Sequence, residues 1–128
     1  MPDQSFPSTE HLKSRKAIDS LFQDGHSFHK YPIKIVWKFQ QNSEIQLNQA
    51  GFTVPKRLFK RAVDRNLLKR RLREAYRLNK SILTQNAKLP KVFFMFIFTG
   101  KEILDYSKIE SSMKTLLDRL SKEIETNR

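Results

Sequence analysis

Residues 91–99 read KVFFMFIFT. Seven consecutive apolar residues, four of them phenylalanine, lie between Pro90 and Gly100. The run does not alternate, and it is short for a buried helix. A run of this length between Pro and Gly, rich in aromatic and β-branched residues, reads as a strand buried on both faces. The rest of the chain must supply what covers it.

Working backwards, residues 32–40, PIKIVWKFQ, do alternate. Ile33, Ile35, Trp37 and Phe39 point one way, and Lys34, Val36 and Lys38 the other, which predicts a strand with one dry face and one basic, half-polar face. Trp37 belongs with the core. QNSE at 41–44 reads as a turn. Residues 45–54, IQLNQAGFTV, are expected to form a second strand, with a break or bulge at Ala50 and Gly51 dividing it into two short pieces. Ahead of these, residues 14–25 predict a short helix capped by Ser14 and followed by Gly25, with Ala17, Ile18, Leu21 and Phe22 on its apolar face.

PKRLFKR at 55–61 reads as a basic connector, and a long helix is expected from about Ala62 to Leu83. TQNAKLP at 84–90 is a loop. After the Phe-rich strand, SKIE at 107–110 predicts a capping box that opens a last helix. Ile109, Met113, Leu116, Leu117, Leu120 and Ile124 form its apolar stripe. The order is helix, two or three strands, basic helix, buried strand, helix. It predicts an α+β two-layer sandwich, a small, mostly antiparallel sheet with packed helices. The 128 residues suit one domain, with disorder expected only at 1–10 and 126–128.

The formal net charge is +12. Residues 56–80 hold eleven basic residues against Asp64 and Glu74, so this window carries nine of the twelve charges. At about 100° per residue, Arg65, Asn66, Lys69, Arg70, Arg73, Arg77 and Lys80 share one arc of the long helix. Val63, Leu67, Leu68, Leu72, Ala75, Leu78 and Ile82 occupy the other. Arg71 falls among the apolar residues and has no evident role. A face that is only solvated would mix signs at i, i+4, whereas Arg65, Lys69 and Arg73 repeat the same sign at that spacing. Such a surface needs a polyanion. Arginine's planar fork suits phosphate, and Asn66 can read a base edge or a ribose hydroxyl. The pattern favours structured RNA over a membrane surface, where charge would sit beside exposed apolar residues.

Other chemistry is poorly represented. The chain has no Cys, so neither a disulfide framework nor a Cys-based metal site is possible. His26 and His29 have no third ligand near them in sequence. Asp19 and Asp24 read as surface charge, and no paired-carboxylate, Ser-His-Asp or Gly-rich phosphate motif appears. No apolar run is long enough to span a membrane and the N-terminus has no signal pattern, so a cytoplasmic location is expected.

The stretch AVDRNLLKRRLREAYR, preceded by GFTVPKR, resembles the protein subunit of bacterial ribonuclease P. The likeness extends to AIDSLFQDG, the Phe-rich strand and the last helix, covering roughly residues 12–124. Leu67 stands where the family usually has a third hallmark Arg. The connector is also one residue longer than the commoner pattern and lacks its Gly. The resemblance implies a ribosomal-protein-like fold with a left-handed βαβ crossover. It implies a catalytic RNA partner that cleaves precursor tRNA at the mature 5′ end with Mg²⁺, with no metal site on the protein and no obligate protein partner. It assigns RNA contact to Arg65, Asn66, Lys69, Arg70 and Arg73, with Lys56 and Arg57 just ahead of them; Lys60, Arg61 and Arg77 complete the basic surface. It also implies that the single-stranded 5′ leader lies in a cleft between the first helix and the sheet, at Ile18, Phe22 and Val36. Lys34 and Lys38, on the same strand face as Val36, would supply cationic walls. Two other readings use the same charge: a noncatalytic ribosomal-type or RNA-chaperone module, and a DNA-binding protein. The DNA reading lacks the short helix and turn expected ahead of a recognition helix.

Overall fold

A computed structural model describes residues 4–40, 47–85 and 88–127. Its centre is a four-stranded mixed sheet in the order β1-β2-β4-β3, made of β1 (His26–Lys30), β2 (Ile33–Phe39), β3 (Gln49–Thr53) and β4 (Val92–Phe98). The β1–β2 and β2–β4 pairs are antiparallel, and β3 runs parallel to β4. The helices are α1 (Arg15–Asp24), α2 (Ala62–Asn79), the single turn α3 (Ser81–Thr84) and α4 (Tyr106–Asn127). The crossover from β3 to β4 runs through α2, which makes the βαβ unit.

The Phe-rich run is a central strand, dry on both faces as expected. Phe94, Phe96 and Phe98 join the main core with Ile33, Ile35 and Trp37 of β2, Leu68, Leu72, Ala75 and Tyr76 of α2, and the whole apolar stripe of α4. Phe93 and Met95 face the other way, into a smaller core with Leu12, Leu21 and Val36 beneath α1. The period-2 geometry of a strand thus feeds two separate helix layers from one run of residues.

Four expectations about the extent and capping of these elements needed correction. β1 was not anticipated, because HSFHK has one apolar residue, Phe28, and an edge strand needs only that one to face the core. β3 carries no bulge: Gln49 to Thr53 pair in unbroken register with Phe93 to Ile97. Gly51 is there because Met95 passes over it; a Cβ would lie 2.7 Å from Cε and 2.9 Å from Sδ. The long helix stops at Asn79 instead of running to Leu83. Asn79 Nδ2 donates to the Ala75 carbonyl, competing with the backbone ladder, and the Lys80 carbonyl accepts from Leu83 and Thr84 to open a new turn. Finally, α4 is capped by Asp105, not by a Ser107–Glu110 box. Asp105 Oδ1 accepts from the Lys108 N–H at 3.1 Å. Glu110 instead accepts from Asn79 Nδ2 and the Tyr106 hydroxyl. The ends of the first helix are as read, with Ser14 Oγ accepting from the Ala17 N–H and Gly25 following its end, but Phe22, read as part of its apolar face, is exposed. The turn expected at 41–44 lies outside the described residues, as does part of the loop at 84–90.

The Glu110 cluster ties α2 to α4 and makes that contact acid-sensitive. Hydrogen bonds from Asn79 and Tyr106 hold Glu110 below the ordinary value of 4.5. The Arg77 guanidinium does the same for Glu74. The Lys108 N–H, and then Ser107, lower Asp105. The Tyr106 hydroxyl is pushed up to about 12 by burial and by Glu110, so it remains a donor. Carboxylates whose pKa is lower folded than unfolded stabilise the fold above the unfolded value, and that stability is lost as pH falls through the folded value. Urea-unfolding midpoints are therefore expected to be flat between about pH 7 and about pH 5 and to drop below 4.5, with Glu110→Gln reducing the drop.

Candidate nucleic-acid interface

The buried arc of α2 is rotated from the one the wheel predicts. Leu68, Leu72, Ala75 and Tyr76 are its buried residues. Val63, assigned to the dry side, is 59% exposed. Tyr76, which sequence reasoning left out of the core, packs among Phe6, Phe52, Phe94 and Phe96, with ring centroids 5.6–5.9 Å away. Burial, with Glu10 nearby, holds its hydroxyl protonated far above the ordinary tyrosine value. Its residual polarity hid it, yet a Tyr one turn after Leu72 and next to Ala75 was the available signal.

The rotation divides the eleven cations of residues 56–80 into two groups. Four are used internally. Lys80 is 7% exposed, bonded to Glu10 Oε1 at 2.9 Å and to the Ser5 carbonyl, so it does not belong to the outer cationic arc. Arg77 grips Glu74 through Nε and Nη2 at 2.7 and 2.9 Å and reaches the Gln4 carbonyl. Arg71, unexplained on the wheel, donates to the Leu104 carbonyl at 2.6 Å and fastens the segment before α4. Arg65 Nη1 donates to the carbonyls of Phe59 and Lys60, both at 2.8 Å, and so folds the connector back onto the start of α2.

The other seven are Lys56, Arg57, Lys60, Arg61, Lys69, Arg70 and Arg73. Among the described residues none of their side chains forms a hydrogen bond or ion pair, and all but the half-buried Lys69 are exposed. Asn66, Lys69, Arg70 and Arg73 share one arc about 100° wide over roughly 10 Å of helix, and Asn66 is exposed among them. Arg73 lies near enough to help lower the Glu74 pKa. The outer face of α4 is built differently: Lys114, Arg119 and Lys122 pair with Glu110, Glu123 and Asp118, each at i, i+4. One helix neutralises its surface charge locally and the other leaves it open to an external anion.

On the opposite side of the sheet, Phe22 projects with 53% exposure, Ile18 is half-buried at the edge of the smaller core, and Lys34 is exposed. Val36 is only 6% exposed beneath α1. Lys38 Nζ bonds Ser20 Oγ at 2.6 Å and Asp24 Oδ1 at 2.7 Å. A cavity of about 290 Å³ opens beside the start of α1 at Lys13, Arg15, Ile18 and Asp19. Among the described residues no group of three or more His, Cys, Asp or Glu could hold a metal ion, and no helix is long and apolar enough to cross a membrane.

Residues 6–121 match the family profile described as Ribonuclease P. The chain belongs to the ribonuclease P protein family. The ribonuclease P protein component of Porphyromonas gingivalis is 30% identical over 122 residues, 94% of this chain and 89% of that one. That of Lachnoclostridium phytofermentans is 32% identical over 109 residues, 84% of this chain and 86% of its own length. Two solved RNase P proteins share the fold. The Staphylococcus aureus protein superposes with a TM-score of 0.70 at 22% identity, covering 87% of this chain and 94% of that one. The Thermotoga maritima protein gives 0.69 at 22% identity, covering 86% and 96%. Within this family fold, these seven cations sit on the connector and on the outward face of the crossover helix.

Proposed function

We propose that the chain binds the catalytic RNA of ribonuclease P and assists Mg²⁺-dependent removal of the 5′ leader from precursor tRNA. The observation that carries this reading is the set of seven cations on the connector and α2 whose side chains have no partner among the described residues, where Lys114, Arg119 and Lys122 of α4 are paired. Lys56, Arg57, Lys60, Arg61, Asn66, Lys69, Arg70 and Arg73 form the RNA-facing surface. Arg65 and Arg77 border it, holding the connector and the end of α2 in place; Arg65 bonds internally through Nη1 alone and keeps its Nε and Nη2 N–H groups for phosphate. Arginine forks give bidentate phosphate contacts, and Asn66 supplies a polar contact among them.

The chain's own residues bind and orient RNA; among the described residues no group of three or more His, Cys, Asp or Glu is gathered that could hold a metal ion to activate water. In this reading the RNA partner performs the cleavage and holds the Mg²⁺, which supplies charge neutralisation at the scissile phosphate. The leader of the precursor lies along the open flank of α1, where Phe22 can stack a base and Ile18 and Lys34 face the strand. In this reading both partners are transcripts and the protein works beside them in the cytoplasm.

Reconstitution with a bacterial ribonuclease P RNA tests this. Precursor-tRNA cleavage at low Mg²⁺ is expected to accelerate over the RNA alone. Binding without acceleration would instead favour a noncatalytic RNA-binding module.

A further inference from the structure

Helix α1 divides the outer face of the sheet into two flanks. Val36 lies under it with Leu21, Phe93 and Met95. The helix closes tightly there: a Cβ on Gly25 would lie 2.9 Å from Val36 Cγ1 and 2.4 Å from the Leu21 carbonyl oxygen. At about 100° per residue, with the buried Leu21 at the centre, Ile18 and Phe22 fall on one side of α1 and Ser20 and Asp24 on the other. Lys38 bonds Ser20 and Asp24, so it lies on the flank away from Ile18 and Phe22. Lys34 shares a strand face with Lys38 but sits on the other side of Val36, about 13 Å away. It is exposed and has no partner among the described residues.

We infer that Lys38 is a positioning residue for leader binding and not a leader ligand. It holds the C-terminal half of α1 against β2 and so sets the open flank that Ile18, Phe22 and Lys34 present to RNA. Two of its three N–H groups are engaged, and its side chain is 18% exposed. A phosphate would have to compete with a carboxylate and a hydroxyl already in place, whereas Lys34 has no such competitor. The inference rests on the reading that this flank takes the leader.

Holoenzyme reconstituted with a bacterial ribonuclease P RNA provides the test, with precursor and mature tRNA binding measured across a range of salt. The variants are Lys34→Ala, Lys38→Met and the reversed pair Lys38→Asp with Asp24→Lys. Lys34→Ala and Lys38→Met each remove one charge. Lys34→Ala should weaken precursor binding and lower the log–log salt slope by up to about one unit. Lys38→Met should weaken precursor binding roughly two- to tenfold with an unchanged slope, and should speed amide hydrogen exchange over residues 18–25 of the free protein. The reversed pair should restore both. A slope lowered by Lys38→Met as much as by Lys34→Ala, with no rescue by the reversed pair, would make Lys38 a direct ligand and overturn the inference. Unchanged exchange in Lys38→Met would overturn it as well. Wild-type holoenzyme that does not favour precursor over mature tRNA would instead sink the leader reading, and the exchange data would still decide whether Lys38 pins α1.

Discussion

Replacing Lys69, Arg70 and Arg73 together by alanine is expected to weaken binding to ribonuclease P RNA by roughly 10²–10³-fold near 0.1 M salt. Each phosphate contact contributes about 0.7–0.9 to the log–log salt slope, so the slope should flatten by about two to three units. None of the three side chains is bonded inside the described protein, and alanine is the best helix former, so α2 should persist and the far-ultraviolet circular dichroism should not change. Arg77→Ala is the informative contrast. It also removes one charge from α2, but two of that residue's N–H groups already serve Glu74 and another the Gln4 carbonyl. Its salt slope should stay close to wild type. Fluorescence anisotropy with labelled RNA across a salt series measures both.

Tyr76→Ala is expected to cost about 3–5 kcal/mol of folding stability, a large part of the roughly 5–15 kcal/mol that holds a domain together. The ring is 1% exposed and lies where α2, β3, β4 and the N-terminal segment meet. Its removal leaves Phe6, Phe52, Phe94 and Phe96 facing a void too enclosed to collapse fully. Tyr76→Phe keeps the ring and should cost far less. The void would also loosen the N-terminal segment, because Phe6 packs on Tyr76 while Glu10 and the Ser5 carbonyl hold Lys80. A double-mutant cycle with Phe6→Ala should therefore show coupling beyond additivity in urea unfolding.

What could be read ahead of the structure followed from how local each signal is. The Phe-rich run, the alternation in β2 and the stripe of α4 are set by burial alone, and burial leaves a period in the sequence. β1 left none, since one Phe in five residues meets its need for the core. The wheel located the charge on α2 but misjudged its dry arc by counting Val63 and Leu67 as core and leaving out Tyr76. A helix packed against both a sheet and α4 has two contact directions, and hydropathy does not separate them. The roles of Arg65, Arg71, Arg77 and Lys80 were hidden for another reason. Their partners are carbonyls of Phe59, Lys60, Leu104, Gln4 and Ser5 and the carboxylates of Glu74 and Glu10, and apart from Glu74 no spacing rule points to them. The same holds for Lys38, whose place on a basic strand face looks like that of Lys34 until its tertiary partners are known.

The central claim is that the position of the positive charge matters, not its amount. It is tested most directly by comparing two triple variants that remove the same charge. One carries alanine at Lys69, Arg70 and Arg73 on α2; the other carries it at Lys114, Arg119 and Lys122, three α4 cations that are paired. Each is reconstituted with a bacterial ribonuclease P RNA and assayed for precursor-tRNA cleavage at low Mg²⁺. The α4 variant is predicted to stimulate cleavage nearly as well as wild type, and the α2 variant to lose most of the stimulation. Equal losses in the two would contradict the account, because only the overall charge would then matter.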